Sequence, residues 1–184
     1  SGDHNCLQCE SNGACELQDL IYRLGIEKPR FEIDPPGYPL DNSNTMIFRD
    51  LNKCVLCGRC IRGCNELQVN EVLDFAQRGN RMKVGPAFDT DYIDSACVFC
   101  GECMQDCPTG AIINKQGRFQ GRPWEIEKVR TTCTYCGVGC QLDLNVFDGK
   151  VVKTTSERSH GAPNWGSLCV KGRFANEFIH SPDR

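Results

Sequence analysis

Fifteen of the 184 residues are cysteine, and they fall into four groups whose spacing could do chemistry. The first is Cys6, Cys9 and Cys15. The second is Cys54, Cys57, Cys60 and Cys64, and the third, Cys97, Cys100, Cys103 and Cys107, repeats its spacing. The fourth is Cys133, Cys136, Cys140 and the distant Cys169. Cysteines two apart on one turn are poorly placed to bridge each other and well placed to ligate one metal. An odd count also fits a disulfide scaffold badly. Structural zinc sites pair two separated C-x-x-C hooks and have no use for a third cysteine two residues on. Three thiols within one short loop can instead wrap three corners of an iron–sulfur cubane. A thioredoxin-type redox pair would need a surrounding βαβ pattern, which these segments lack.

The third group, closed by Pro108, reads C-x2-C-x2-C-x3-C-P, the bacterial ferredoxin run. In that run the fourth cysteine is turned away by its helix and reaches the other cluster. Two runs therefore predict crossed ligation: Cys54, Cys57, Cys60 and Cys107 on one [4Fe-4S] cluster, and Cys97, Cys100, Cys103 and Cys64 on the other. Cys133, Cys136, Cys140 and Cys169 supply a further four ligands. The first group is one short. Imidazole can replace thiolate, and His4 is the histidine near Cys6, at H-x-C spacing; a residue upstream of Ser1 is the alternative.

Elements of modest size must position these loops. Leu17, Leu20, Ile21 and Leu24 follow helical spacing, with Gly25 where a helix would stop. Residues 27–45, rich in proline, read as an irregular surface connector. Val72–Phe75 and Arg81–Val84 flank Gly79-Asn80 as a hairpin, and 115–125 read as a Gly-, Arg- and Lys-rich linker. Leu142, Leu144 and Val146 alternate with polar residues up to Asp148-Gly149, followed by Val151 and Val152; this is the clearest hairpin signal. The apolar fraction of 40% includes the cysteines, so several small units held by coordination are expected rather than one large core. A net charge of −3 gives no basic footprint for nucleic acid. No apolar run approaches the length of a membrane span. So many thiols imply a reducing compartment, hence a cytoplasmic location. A chain without an initial Met reads as an excerpt of a longer one. Glu66, Glu102 and Asp106 read as solvated charges. Trp124 and Trp165 read as core or interface packing. Arg49, Arg59 and Arg62 either soften a cluster's charge or are surface cations.

With Cys15-Glu16-Leu17-Gln18, Arg49-Asp50 and Lys53-Cys54-Val55-Leu56-Cys57-Gly58-Arg59-Cys60-Ile61-Arg62, the first three groups resemble the accessory cluster region of iron-only hydrogenases and of NAD-linked formate dehydrogenases. There a His/Cys3 cluster precedes two ferredoxin-type clusters. The family writes its histidine four residues before the first cysteine, where this sequence has Gly2. Thr132-Cys133-Thr134-Tyr135-Cys136-Gly137-Val138-Gly139-Cys140, with Cys169-Val170-Lys171-Gly172-Arg173, resembles the N-terminal [4Fe-4S] domain of molybdopterin oxidoreductases, most of all formate dehydrogenase catalytic subunits.

The resemblance implies an α+β, loop-rich fold. A two-cluster ferredoxin-like module over 29–120 would be flanked by a His/Cys3 segment over 1–28 and a small β-rich [4Fe-4S] domain over 121–184. It implies four [4Fe-4S] clusters, with a Mo or W bis-(molybdopterin guanine dinucleotide) in the part that follows and room for a [2Fe-2S] cluster upstream. Lys171 would assist electron passage between cubane and pterin. No catalytic residue is expected in this segment, which would carry electrons between a formate/CO2 site and flavin/NAD(P)-binding, ferredoxin or hydrogenase subunits. Two alternatives stay open: the iron–sulfur arm of a hydrogenase-linked or NADH-linked large subunit, and a non-enzymatic polyferredoxin-like carrier or zinc-bound interaction protein.

Overall fold

The computed structural model describes residues 6–32 and 36–183. Its α+β, loop-rich character follows from the cysteine loops, which interrupt every element before it grows long. The first segment holds a 3-10 turn, Cys6–Gln8, and helix α1, Glu16–Arg23. Leu24 caps α1 and Gly25 turns left-handed at φ 62°, as the spacing predicted. No residue of α1 is buried.

The central module is a pseudo-repeat. Strand β1 (Ile47–Arg49) leads into the first ferredoxin-type run, and β4 (Ile112–Asn114) leaves the second. They pair antiparallel with Phe48 opposite Ile113, which closes the module on itself. Between them, β2 (Asp74–Ala76) and β3 (Lys83–Gly85) form the expected hairpin around a 3-10 turn at Gly79–Arg81. Helices α2 (Arg59–Arg62) and α3 (Glu102–Gln105) occupy equivalent places in the two runs. The repeat extends to the backbone: Leu56 and Gly58 have φ 53° and 71°, and Phe99 and Gly101 have 54° and 75°. It breaks after the third cysteine, because α2 runs into a π-helical turn, Gly63–Leu67, that carries Cys64. Ile47, Leu73, Val84, Tyr92, Ala111 and Ile112 form the core together with Cys60, Cys64 and Cys103.

The last module is a three-stranded antiparallel sheet of β5 (Glu127–Thr132), β6 (Gln141–Phe147) and β7 (Lys150–Thr155), followed by α4 (Val170–Phe174). Asp148 and Gly149, both at positive φ, make the β6–β7 turn. Strand β5 escaped sequence reading because it is exposed throughout and alternates nothing with the core. On β6 the buried side chains are Leu142, Asp143 and Asn145, so polar residues share the interior with the leucine.

Two readings need correction. Residues 115–125 are packed rather than a free linker. Arg118 lies 3.7 Å above the Phe48 ring. Gln116 Nε2 donates to the Phe174 carbonyl (2.8 Å), and Arg122 donates to the carbonyls of Cys9 and Leu7. The long cationic and amide side chains that look solvated in sequence reach the Phe48 ring and backbone acceptors at Cys9, Leu7 and Phe174. Glu102 and Asp106 are likewise not solvated. Arg173, fully buried, pairs with Glu102 (3.4 Å, 1% exposed) and donates through Nε to the Cys100 carbonyl at 2.8 Å. Arg158 reaches Asp106 at 2.6 Å. Burial pushes Glu102 up and Arg173 down, and their mutual attraction opposes both shifts. Phe174 enters the core of the central module beside this pair, so α4 joins the last two modules.

Removing one partner of a buried pair strands the other's charge. Glu102→Ala is expected to cost about 3–5 kcal/mol, whereas Lys128→Ala, which breaks the exposed pair with Glu157, should cost under about 1 kcal/mol. Anaerobic denaturant unfolding of the two variants checks the contrast.

Candidate metal centres

None of the 15 cysteines is in a disulfide. In each run the backbone turns left-handed twice, at Leu56 and Gly58 and at Phe99 and Gly101. Leu56 N–H donates to Cys54 Sγ and Phe99 N–H to Cys97 Sγ, both at 3.4 Å. Gly101 serves this loop in two ways. Its φ of 75° is one that side-chain-bearing residues rarely adopt, and a Cβ there would lie 2.4 Å from Arg173 Cδ.

The fold brings the thiols into sets that cross between the runs. Burial pushes Cys60 up to about 12, and the thiols adding to that shift are Cys107, Cys54 and Cys57. Burial also raises Cys103 strongly, with Cys100, Cys60, Cys97 and Cys64 adding to it. Cys64, Cys97, Cys100 and Cys103 line one small, mainly apolar cavity with Ile47, Leu73 and Tyr92. The π-helical turn swings Cys64 away from its own run into that cavity, and Pro108 follows Cys107 as the chain leaves for β4. Burial and then Cys133, Cys136 and Cys169 raise Cys140, so the distant Cys169 comes within electrostatic reach of that loop. Cys169 is the N-cap of α4, and the Cys133 N–H donates to the Cys140 carbonyl at 2.8 Å. Tyr135 ties this loop to α4 through the Ala175 carbonyl and an edge contact with Phe178. Burial raises Cys15, and Cys9 and Cys6 add to the shift. His4 and Gly2 lie outside the described residues.

Among the described residues no three Cys, His, Asp or Glu side chains converge as ligands of one metal ion. Four thiols around an apolar cavity suit a larger soft group, one thiolate to each iron of a cubane. Raised thiols must lose their protons to ligate, so loading releases protons and grows more favourable as pH rises. Arg49 beside Cys97 and Arg173 beside Cys100 oppose the upward shifts.

The sets stand in sequence through the fold. Glu16 N–H donates to the Pro108 carbonyl (2.9 Å), and Arg59 grips Glu16 through two hydrogen bonds, which sets the Cys6/Cys9/Cys15 group beside the Cys54/Cys57/Cys60/Cys107 set. At the other end Cys133 Sγ lies beside Gly172, and the next residue, Arg173, donates to Cys100. Arg173 and Glu102 were missed as a functional pair because their residue types read as surface charges; only the fold buries them. Lys171 is exposed on α4, two residues after Cys169. Trp124 packs on Gly13, and both Trp124 and Trp165 keep most of their surface exposed.

Three segments match described families. Residues 1–30 match the NADH-ubiquinone oxidoreductase-G iron–sulfur binding region, residues 53–111 the 4Fe-4S dicluster domain, and residues 126–181 the molybdopterin oxidoreductase Fe4S4 domain. Over 98% of its length the chain is 33% identical to the NADPH-Fe(3+) oxidoreductase subunit alpha of Geobacter sulfurreducens, and 34% identical to a G-type NADH-quinone oxidoreductase protein of Rhizobium meliloti. Over 97% it is 29% identical to a Staphylococcus haemolyticus protein named "Putative formate dehydrogenase SH0748". It spans about a fifth of these relatives: 21% of the first two and 22% of the third. A NAD+-reducing [NiFe]-hydrogenase structure superposes with a TM-score of 0.59 at 30% identity, over 65% of this chain and 51% of that one. The chain is thus a string of iron–sulfur domains, an electron-transfer region of the kind found in molybdopterin-type, G-type NADH-quinone oxidoreductase and hydrogenase-like proteins.

The packing of the first segment gives a test. A Cβ at Gly110 would stand 2.5 Å from Cys9 Sγ. Gly110→Ala is expected to displace Cys9 and lower iron by about four atoms per chain, one cluster's worth. Iron analysis against protein concentration checks this, with the ferredoxin-type clusters retained.

Proposed function

We propose that this chain is the electron-transfer portion of a formate dehydrogenase catalytic subunit, built of three units over 1–28, 29–120 and 121–184. Four [4Fe-4S] clusters, when bound, supply one-electron carriers. Cys54, Cys57, Cys60 and Cys107 would hold one, Cys64, Cys97, Cys100 and Cys103 a second, and Cys133, Cys136, Cys140 and Cys169 a third. Cys6, Cys9 and Cys15 would hold the fourth, with His4 or a residue upstream. The observation that carries this reading is the continuous contact of the four thiol sets, from Gly172–Arg173–Cys100 at one end to Pro108–Glu16 at the other. The chain's own residues fix that order, exclude water from the inner thiols and place buried cations beside them. Among the described residues, each step of the order is a hydrogen-bonded or packed junction.

The donor side would be a Mo or W bis-pterin centre for formate in the remainder of the protein, reached past Lys171. The acceptor side would be a flavin/NAD(P)-binding, ferredoxin or hydrogenase subunit, beside the Cys6 segment and any [2Fe-2S] cluster before it. A cytoplasmic site of action agrees with so many reduced thiols, and among the described residues no helix is long and apolar enough to cross a membrane. The higher identity to the NADPH-Fe(3+) and NADH-quinone relatives than to the formate-named one favours a second reading, an arm that carries electrons from NAD(P)H without formate.

Two measurements separate these. Elemental analysis of the intact complex, purified without oxygen, should find about sixteen iron atoms for this region, four per cluster, and one Mo or W per chain. Iron without Mo or W would favour the second reading, and zinc in place of iron would overturn both. Lys171→Ala should keep its iron while formate-driven cluster reduction slows about tenfold, or about 1.4 kcal/mol. Unchanged turnover would remove Lys171 from the path.

A further inference from the structure

Tyr92 opens the 3-10 turn Tyr92–Asp94 just before the second ferredoxin-type run, and its side chain is 1% exposed. The ring is a wall of the cavity lined by Cys64, Cys97, Cys100 and Cys103. Its hydroxyl is buried and finds no hydrogen-bond partner among the described protein atoms. A buried hydroxyl without a partner loses its hydrogen bond to water and gains nothing in return, and native proteins seldom leave one so. The surroundings narrow what the partner is. The side chains that share the cavity with the tyrosine include the four thiols of Cys64, Cys97, Cys100 and Cys103, and sulfur is the acceptor they offer.

The residue is held firmly. Arg49 lies over the ring at 4.2 Å and is anchored in turn by Asp41 and the Val84 carbonyl. Ser95 Oγ donates to the Tyr92 carbonyl (2.7 Å) and accepts from the Cys97 N–H (3.3 Å), coupling the tyrosine to the first thiol of the run. On the same cavity wall Asn70 Nδ2 stands 4.0 Å from Cys100 Sγ, a second side-chain donor turned to sulfur.

We propose that the Tyr92 hydroxyl donates a hydrogen bond to a sulfur atom of the iron–sulfur cluster held by Cys64, Cys97, Cys100 and Cys103, and so raises that cluster's reduction potential. The inference rests on the assignment of a cluster to those four thiols. Reduction adds negative charge to the cluster, so a donor at sulfur favours the reduced form over the oxidised one. Tyr92 is a positioning and tuning residue: it ligates nothing and transfers no atom.

The test is Tyr92→Phe in the full-length protein within its complex, purified without oxygen. Phenylalanine keeps the ring, the packing and the Arg49 contact and removes only the donor. Iron per chain should be unchanged. In a redox titration followed by electron paramagnetic resonance, one cluster's reduced-to-oxidised ratio at fixed potential should fall about three- to tenfold, tenfold being about 59 mV for a one-electron couple. The other midpoints should stay in place. In the unsubstituted protein, an exchangeable-proton coupling to that cluster should appear in electron–nuclear double resonance, vanish in D2O and be missing from Tyr92→Phe. Unchanged midpoints with full iron, or no exchangeable coupling in the unsubstituted protein, would overturn the inference and leave the cluster assignment standing. Protein that holds no iron would overturn the assignment itself, and this inference with it.

Discussion

Thiols that are to share one soft group must be brought close together and shielded from water, and the rest of this structure depends on how the chain meets that demand. Neither ferredoxin-type run completes a set alone. The π-helical turn carries Cys64 across to Cys97, Cys100 and Cys103, and the β1–β4 pairing that closes the module brings Cys107 to Cys54, Cys57 and Cys60. Each group of neighbouring thiols therefore draws on both runs. Burial then opposes ionisation of Cys54, Cys60, Cys97, Cys100 and Cys103. The positive charges of Arg49 and Arg173, with backbone N–H groups on Cys54 and Cys97, partly offset that cost.

The second demand is continuity between modules. Burying an ion pair is a poor way to gain stability, since desolvation consumes most of the attraction. Arg173 and Glu102 are better understood through what they fix. The guanidinium holds the Cys100 carbonyl, Glu102 receives Ser167 and Gln68, and Phe174 fills the core beside them. The outcome is one position of α4, and hence of Cys169, relative to the second run. At the opposite end Arg59, Arg122 and the Pro108 carbonyl do the same for Cys15 and Cys9.

The domain match at residues 1–30 takes the first cysteine group, that at 53–111 the second and third together, and that at 126–181 the fourth. Residues 115–125 lie between the last two matches. Their composition is that of a linker, yet Gln116, Arg118 and Arg122 each satisfy a different neighbour.

Cysteine spacing, the α1 helix with its Gly25 stop and the Asp148-Gly149 hairpin were legible in the sequence because each is a local rule: ligand geometry, helical periodicity and left-handed turn chemistry act within a few residues. The repeat of the two runs was legible for the same reason, and it returns in the backbone as matched left-handed turns at Leu56 and Gly58 and at Phe99 and Gly101. What only the tertiary structure decided is non-local. Strand β5 has no pattern of its own and exists through pairing with β6. Asp143 and Asn145 are buried although alternation put them on the polar face, opposite Leu144 and Val146. Glu102, Arg173 and Tyr92 look like ordinary surface or core residues until residues far apart in the chain are packed together. Burial is a property of the neighbours a side chain acquires, and no window of sequence contains them.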